Sequence, residues 1–374
     1  MPRLPQASPA DPLIVKGRPL TFSYFPIKRK NRRYGLQDVV FAVDPWAVIE
    51  GAVNDQVTSA TSRREALAFL QQARAFYQAG AARTPASPLL TYYAFLNLGK
   101  AVIRSRGFTG SLDGARHGLS ETHVGTGLSG SSVVVWDGGS RVNVFAELME
   151  RLGFQRPSTG PISVSGLAPQ LVVGHRLWRE ASGRSERFVV LDDIEFVHDR
   201  GAKTLWLRSW LRRGDLSRYG ISRSRLLQEG GLDGRFSEVD PTPLTEDREL
   251  VCLEQQSPVP YTGRPTDVVA GLVESCRPWL WRIITAGPER GYRRYYLHLT
   301  PLNAPGRMPQ IASMWMLIFF FGSVVRYRPQ EFAAIANGRY GAWATDLVSA
   351  QPEQLLFMLA SEIRRREVAR PAIV

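Results

Sequence analysis

The most apolar stretch of the chain lies between Arg307 and Arg326, and it limits the choice of fold more than any other feature. Pro309 and Gln310 near its start reduce the apolar part to residues 311–325, a run of 15. A membrane-spanning helix needs about 20 apolar residues. We therefore expect a helix buried on all sides in the core of a soluble protein, with no membrane association. The N-terminal residues contain no apolar run typical of a secretory signal, so we expect a cytoplasmic location.

The hydrophobic pattern changes its period twice along the chain. Apolar residues recur at helical spacing in 63–80 and 88–107, and again from residue 311 onwards. Between these blocks, short runs rich in β-branched and aromatic residues are typical of strands. The predicted strands are 131–136, 170–174, 187–191, 194–197, 249–254 and 294–299. The predicted C-terminal helices are 311–325, 329–338 and 352–370, with Pro329 and Pro352 as the first residues of the last two.

This order of periods predicts an α+β protein. The N- and C-terminal helical blocks are expected to pack together into a helical core, with a mostly antiparallel, β-rich insert between them. The predicted domains are a basic, Pro-rich arm (1–40), an N-terminal helical block (41–155), a β-rich central region (156–300) and a C-terminal helical block (301–374) that packs on the N-terminal one.

The net charge of +13 comes from two segments of the chain. Residues 1–35 carry a net charge of +7 and residues 200–230 a net charge of +6, so the rest is neutral in sum. Basic segments of this kind are expected of proteins that bind polyanions, because neutralised phosphates release counterions. In the second segment, Trp206 and Trp210 lie among arginines, which suits base stacking beside phosphate contacts. The alternative is that both tryptophans anchor a core.

These two segments provide the candidate nucleic-acid-binding residues. They are Lys28, Arg29, Lys30, Arg32, Arg33, Arg208, Trp210, Arg212, Arg213 and Arg218. The sequence does not distinguish DNA from RNA as the partner, and a solvated basic face that binds neither is the alternative. An acidic protein would also fit the same charge. The oligomeric state is left open.

The sequence contains no convincing motif for a metal or a cofactor, so we expect neither a metal ion nor a cofactor. The glycine-rich run GTGLSG at 125–130 matches a dinucleotide-binding fingerprint, but a predicted strand follows it where that fingerprint needs a helix. The five histidines lack the i, i+4 spacing of a zinc-binding helix. Two cysteines, Cys252 and Cys276, are too few for a disulfide framework, and we expect free buried thiols.

Catalysis without a metal would need an arginine near a histidine. Histidine can act as a general base while arginine stabilises charge that develops on a phosphate. Arg116 precedes His123, and Arg293 precedes His298, at spacings that allow such a pair. The second pair lies in a predicted strand, which puts its side chains on opposite faces, and the first lies in a Gly-rich loop. Ordinary structural roles are the alternative for both pairs.

Two blocks of the sequence resemble the YaaC-like family of bacterial proteins. Residues 87–107, SPLLTYYAFLNLGKAVIRSRG, and the following ARHGLS at 115–120 are similar to that family's Pro-Leu-Leu-x-Tyr-Tyr helix, its Asn-Leu-x-Lys-Ala continuation and its His-Gly-Leu loop. Residues 311–332, IASMWMLIFFFGSVVRYRPQEF, resemble its closing block, an apolar helix that ends in Arg-Tyr-x-Pro. The matching blocks cover roughly 85–150 and 308–360.

The Tyr-Tyr helix and the His-Gly loop are also similar to proteins of the HEPN superfamily. Those proteins are helical bundles, and many are RNases or partner modules of toxin and phage-defence systems. This resemblance implies a HEPN-like helical core and an RNase motif of the form Arg-x(4–6)-His, which Arg116 and His123 fit. With the adjacent His117, these are the candidate catalytic residues.

The same resemblances single out a polar pocket beside the Tyr-Tyr helix. Its candidate residues are Tyr93, Asn97, Lys100, Arg326 and Tyr327, with Tyr92 alongside. The i, i+4, i+7 spacing of the first three places them on one helix face. The alternative is that Asn97 caps a buried loop and that Lys100 extends its charged end from an apolar face to water.

Three functions are therefore open for this chain. The first is a nucleic-acid-associated module of a defence or stress system, which binds through the basic arm and the Trp/Arg-rich segment. The second is a metal-free RNase of HEPN type, so whether the protein is an enzyme is undecided. The third is a non-catalytic scaffold that docks an acidic protein partner in a multi-component system.

Overall fold

The computed structural model describes residues 3–25, 39–82, 84–125, 128–286, 294–301 and 307–372. The chain divides into two compact units, each built from segments that are distant in sequence. Unit 1 comprises Met1–Val43, Ser185–Ala304 and Arg365–Val374. Unit 2 comprises Asp44–Arg184 and Pro305–Arg364. The four-part division expected from the sequence stays a prediction.

The described residues form both helices and strands, which confirms the α+β class. The helices are α1 (Pro45–Gln56), α2 (Ala60–Gly80), α3 (Ser87–Ser105), α4 (Val144–Arg151), α5 (Val164–Leu167), α6 (His175–Ser182), α7 (Arg213–Arg218), α8 (Arg223–Glu229), α9 (Val269–Cys276), α10 (Gln310–Tyr327), α11 (Pro329–Asn337) and α12 (Gly341–Arg364). The strands are β1 (Asp11–Pro12), β2 (Ile14–Val15), β3 (Arg18–Pro19), β4 (Val40–Phe41), β5 (Leu119–Thr122), β6 (Ser132–Val135), β7 (Gly160–Ser163), β8 (Phe188–Val190), β9 (Asp193–Asp199), β10 (Thr204–Arg212), β11 (Phe236–Val239), β12 (Leu250–Gln255), β13 (Val259–Pro260), β14 (Leu280–Arg282), β15 (Thr285–Ala286), β16 (Tyr295–His298) and β17 (Val368–Pro371).

Helices α2 and α3 of unit 2 form an antiparallel hairpin. At one end, the buried Arg104 of α3 pairs with Glu65 of α2 at 2.8 Å. At the other end, Gly80 lies so close to Thr91 that a Cβ on this glycine would be 2.9 Å from the threonine hydroxyl oxygen. The short connection and the apolar face shared by the two helices explain the pairing, as expected from their helical period.

Helix α10 packs antiparallel on α3 through two glycines. A Cβ on Gly322 would lie 2.8 Å from the Cβ of Tyr92, and a Cβ on Gly99 would lie 2.6 Å from the ring of Trp315. Every residue from Gln310 to Val325 is buried. By length and composition the helix could cross a membrane, yet 83% of it is buried inside the protein. Its burial is that of a soluble protein's core helix, as predicted.

Three local predictions at and before the C-terminal helices are wrong. Pro352 lies inside α12, which starts eleven residues earlier at Gly341. The half of this helix that begins at the proline is largely buried. The predicted helix 352–370 ends at Arg364, because Arg365 adopts a positive φ of 56° and the chain then enters β17. The predicted strand 170–174 is instead a turn with Gly174 at φ 80°, which leads into α6.

The main sheet of unit 1 is antiparallel, with strand order β1-β9-β10-β12-β11 and with β13 also paired to β10. Along β10, Leu205, Leu207 and Leu211 belong to the main core of the unit. Trp210 is on the opposite face of the strand and belongs to a separate small apolar cluster. Both Trp206 and Trp210 are buried, as the core-anchor alternative predicted. They share a face because strand side chains alternate with a period of two.

The described part of the predicted arm is packed into unit 1. Leu13, Leu20, Phe22 and Phe25 are buried members of its main core, and β1 pairs with β9. Residues 26–38 lie outside the described residues. The described residues of the unit form three further sheets: an antiparallel one of order β14-β16-β8, a parallel one of order β15-β17-β4, and the antiparallel pair β2-β3.

Candidate functional site

Three sequence motifs that are far apart in the chain meet in unit 2. They are the Tyr-Tyr pair of α3, the His-Gly-Leu loop before β5 and the Arg-Tyr pair at the end of α10. Arg326 donates a hydrogen bond from Nη1 to the hydroxyl oxygen of Tyr93 at 2.9 Å. The ring of His117 lies 5.4 Å from that of Phe319 and 6.3 Å from that of Tyr92, between ring centroids. We call the following residues the motif cluster: Tyr92, Tyr93, His117, Arg326 and Tyr327.

The position of His117 is set by a glycine and an asparagine next to it in space. Asn143 caps α4 by accepting a hydrogen bond from the Ala146 N–H at 2.9 Å, and its Nδ2 donates to the carbonyls of Trp136 at 2.6 Å and Gly118 at 3.4 Å. Gly118 has a φ of 86°. A Cβ at this position would lie 1.7 Å from Oδ1 of Asn143. Only glycine therefore fits after the histidine of this loop.

His117 is exposed and oriented by the backbone. Its Nδ1 accepts a hydrogen bond from the Leu119 N–H at 3.2 Å. Loss of water against the neighbouring rings is the main cause that lowers its pKa below the ordinary 6.5; the hydrogen bond with Leu119 and the charge of Glu121 oppose it, and smaller repulsions from Arg326 and Arg116 add to it. Because Nδ1 is an acceptor, Nε2 of the neutral ring carries the proton and is a hydrogen-bond donor.

Both ring nitrogens of His123 have a polar partner. Its Nδ1 lies 3.0 Å from Oγ of Ser131, and its Nε2 lies 2.8 Å from a carboxylate oxygen of Glu331. Desolvation lowers its pKa, and the positive charge of Arg328 adds to this effect against the attraction of Glu331. Arg116 is exposed, and no contact with His123 is found in the described part of the chain. The prediction that Arg116, His117 and His123 act together in catalysis remains untested.

The other predicted pocket residues have different surroundings. Asn97 is buried and donates from Nδ2 to the carbonyl of Tyr93 on its own helix at 3.0 Å. Lys100 has its ammonium 5.4 Å above the ring of Phe69 in α2, so it contacts the neighbouring helix. Tyr327 is 63% exposed, and the guanidinium of Arg326 lies 4.9 Å from the centre of its ring.

Most arginines of the basic segment 200–230 form ion pairs inside unit 1. The pairs are Arg200 with Asp11, Arg208 with Glu254, Arg212 with Asp192 and Asp247, Arg223 with Glu238, and Arg225 with Glu229. Their positive charge is therefore largely matched by carboxylates, most of which lie outside the segment.

The predicted nucleic-acid contacts differ in accessibility. Arg208 and Trp210 are buried, so neither side chain is available at the surface in this structure. Arg212 lies between two carboxylates, which raise its pKa through a hydrogen bond and the charge of Asp192. Arg213 and Arg218 are exposed, and neither forms an ion pair within the described ranges. The predicted residues Lys28, Arg29, Lys30, Arg32 and Arg33 lie outside the described residues.

The described residues contain no group of three or more His, Cys, Asp or Glu placed to hold a metal ion. Both cysteines, Cys252 and Cys276, are free and buried, as predicted. Burial raises the pKa of each thiol to about 12, so neither is a reactive thiolate at neutral pH.

Four residues around the motif cluster were not foreseen from the sequence. Glu331 binds His123, Arg328 lies 3.4 Å from Glu121, and Asn143 positions the His-Gly loop. A signal existed only for Asn143, since an asparagine directly before the apolar pattern of VFAELMER is typical of a helix N-cap. The ion pairs join residues about 200 positions apart, and no local pattern shows them.

Comparison with known proteins identifies the family. The family model described as YaaC-like Protein matches residues 28–363. The chain therefore belongs to the YaaC-like family, as the two motif blocks predicted. No curated protein matches the chain, and no solved structure matches it.

Proposed function

We propose that this YaaC-like protein associates with nucleic acid through basic groups of unit 1, as a module of a bacterial defence or stress system. The observation that supports the proposal is the exposure of two arginines on α7 that form no ion pair among the described residues. Arg213 and Arg218 are exposed there and have no ion pair among the described residues, whereas five arginines of the same segment are neutralised by carboxylates. The basic sequence at Lys28–Arg33 has five cations in six residues and lies outside the described residues.

Unpaired arginines favour a polyanion for an electrostatic reason. A phosphate that meets such a group releases its condensed counterions, and it breaks no existing ion pair of the protein. A guanidinium that is already neutralised, such as that of Arg208 beside Glu254 at 2.8 Å, offers little of this gain. The proposal therefore retains Arg213, Arg218 and the basic sequence Lys28–Arg33, and it leaves out the buried Arg208 and Trp210.

The test is binding of the full chain to three probes across a salt series: single-stranded RNA, single-stranded DNA and duplex DNA of equal length. We expect the logarithm of the binding constant to fall linearly with the logarithm of the salt concentration. The double variant Arg213→Gln/Arg218→Gln should reduce this slope by about 2, one for each lost phosphate contact. A flat salt dependence would contradict the proposal.

The matched control is the double variant Arg63→Gln/Arg64→Gln on α2. It removes the same formal charge from unit 2, where neither arginine forms an ion pair in the described part of the chain. If it weakens binding as much as the α7 variant, net charge alone explains the affinity and the localised surface is wrong. Neutralising the five cations of Lys28–Arg33 tests the contribution of this basic sequence in the same assay.

The other two candidate functions predict different results with the same protein. A scaffold for an acidic protein partner should bind poly-glutamate, in preference to nucleic acid, through the same arginines. A metal-free RNase is favoured by one observation, the exposed ring of His117 beside Arg326 and Arg116. Such an enzyme should cleave RNA in the presence of a chelator, and His117→Gln should abolish the cleavage. Absence of cleavage by the unmodified chain would exclude it under those conditions.

A further inference from the structure

The motif cluster presents hydrogen-bond donors with few acceptors to use them. Arg326 donates one N–H to the hydroxyl oxygen of Tyr93, and no carboxylate pairs with its guanidinium among the described residues. A guanidinium has five N–H donors in a fixed fork. Because the Tyr93 oxygen accepts from Arg326, its own proton is available for a further acceptor. The Nε2–H of His117 is a third donor, and the backbone bond from Leu119 holds it in place.

The two carboxylates nearby, Glu121 and Glu331, have other side-chain partners. Glu121 lies 3.4 Å from Arg328, and Glu331 lies 2.8 Å from the ring of His123. The positive charges of Arg326 and Arg116 act on His117 together and are not neutralised by an ion pair in the described residues. The guanidinium of Arg326 with the neutral donors of Tyr93 and His117, and with Arg116 as a further positive charge near His117, suits an anion.

The aromatic residues add an apolar surface beside these donors. The ring of Tyr92 lies 5.2 Å from that of Phe319 and 5.6 Å from that of Tyr93. The Tyr92 hydroxyl is buried and has no hydrogen-bond partner among the described residues, with Tyr93 and Arg326 as its electrostatic neighbours. Tyr327 has a largely exposed ring, and exposed aromatic rings beside arginine are the usual platform for a nucleobase.

We propose that the motif cluster binds a phosphate monoester carried on a nucleoside, with Arg326, His117 and Tyr93 on the phosphate and Tyr327 against the base. A monoester carries about −1.5 to −2 charge at pH 7 and three acceptor oxygens, which match the donors here better than the single charge of an internal phosphodiester. The ligand is either a free nucleoside 5′-monophosphate or the 5′-phosphorylated end of an oligonucleotide. The site lies within unit 2 and does not depend on the basic groups of unit 1.

The test is calorimetric titration of the full chain with adenosine 5′-monophosphate, adenosine, ribose 5-phosphate and inorganic phosphate. We expect the nucleotide to bind at least about tenfold more tightly than adenosine, because a charge-assisted bidentate contact is lost without the phosphate. A second arm compares one oligonucleotide with a 5′-phosphate and with a 5′-hydroxyl. A preference in this arm identifies the nucleic-acid end as a ligand, and binding of the free nucleotide alone identifies the small molecule. Equal binding of adenosine and the nucleotide would overturn the proposal.

The variants separate the two halves of the site. Arg326→Gln should weaken binding of the nucleotide by about tenfold or more, and Tyr93→Phe should weaken it less because the ring and the guanidinium remain. Tyr327→Ala should weaken binding of the nucleotide but leave that of ribose 5-phosphate unchanged. Arg326 and Tyr327 are exposed, so these changes spare the core, and thermal unfolding of each variant checks this. If Arg326→Gln binds the nucleotide like the unmodified chain, the site is wrong.

The controls keep this proposal distinct from the proposed function. Arg64→Gln removes a charge elsewhere on unit 2 and should leave nucleotide binding unchanged. Arg213→Gln/Arg218→Gln should also leave it unchanged while reducing the salt slope for nucleic acid. Conversely, Arg326→Gln should retain the salt slope on an oligonucleotide with a 5′-hydroxyl. Either proposal can therefore fail while the other stands.

Discussion

At the scale of single residues, Gly118 connects the histidine loop to the helix that follows it. Its positive φ turns the chain, and the missing side chain leaves room for the amide of Asn143, which caps α4 and binds the loop carbonyl. One small residue thus supports both the orientation of His117 and the start of a helix. Two independent costs should follow when it is replaced.

Gly118→Ala should lower the free energy of unfolding by about 2–3 kcal/mol. An alanine with left-handed φ costs about 1–2 kcal/mol, and a displaced N-cap costs about 1 kcal/mol more. Gly107→Ala is the matched control, because Gly107 has a φ of 81° but no atom within 4 Å of the added Cβ. It should show the conformational cost alone. Urea unfolding of both variants measures the difference, and equal losses would contradict the role given to Asn143.

Single residues also show why the charge pattern of the sequence does not identify the unpaired arginines. Counting charges within residues 200–230 gives an excess of six, because the window leaves out Asp11, Glu254 and the other partners. Those partners are brought close by strand pairing and by folding of the N-terminal residues. Ion pairs across tens or hundreds of positions have no local signature, so the accessible cations could not be selected from composition.

At the scale of elements, the approach of α3 and α10 is the contact that forms the motif cluster. Gly99 and Gly322 remove two side chains from this contact, and the backbones come close enough to place Tyr93 beside Arg326. The helical period predicted α3, and the unbroken apolar run predicted α10. Neither pattern could show which faces meet, since α10 is apolar all round.

Gly322→Ala and Gly99→Ala should each destabilise the protein by about 1–3 kcal/mol, the usual cost of forcing an extra methyl into a packed contact. The added Cβ atoms would lie 2.8 Å from Tyr92 and 2.6 Å from the ring of Trp315. Gly51→Ala on α1 is the control, because nothing lies within 4 Å of its Cβ. It should stabilise by about 0.5–1 kcal/mol through helix propensity. Chemical unfolding of the three variants measures these changes in the free energy of unfolding. An unchanged free energy of unfolding for Gly322→Ala would contradict the close packing.

Errors in the predicted elements share a physical cause. Pro352 was placed at a helix start because proline interrupts hydrogen bonding, but burial of α12 on both sides of it outweighs one lost bond. Residues 368–370, the end of the predicted helix, belong to β17 instead, because β4 and β15 offer backbone partners on either side. In each case contacts from distant segments override a local preference.

At the scale of the whole molecule, both units are assembled from separated stretches of chain. Unit 2 takes α10 and α12 from Pro305–Arg364 and its other large helices from Asp44–Arg184. The helical blocks at both ends of the sequence could be recognised from period. The Pro-rich, basic composition of the N-terminal residues predicted an arm, whereas Leu13, Leu20, Phe22 and Phe25 of the described residues belong to the core of unit 1.

A fragment of residues 44–184 should therefore fail to unfold cooperatively on its own. Without α10, the face of α3 that holds Tyr92, Phe95 and Gly99 loses its apolar partners, and β5 and β6 lose their contacts with the same helix. Coexpression with residues 305–364 should restore a cooperative thermal transition, measured by circular dichroism. A sharp transition of the first fragment alone, at the same temperature as the pair, would show that α10 is not needed for its core.

The parallel sheet of unit 1 has β17 as its middle strand, with Val368 opposite Val40 and Arg370 opposite Thr285. On a translating ribosome, β4 and β15 leave the exit tunnel long before the strand that joins them is synthesised. Neither strand has this backbone partner until residues 368–371 have emerged, so the sheet cannot close before that point.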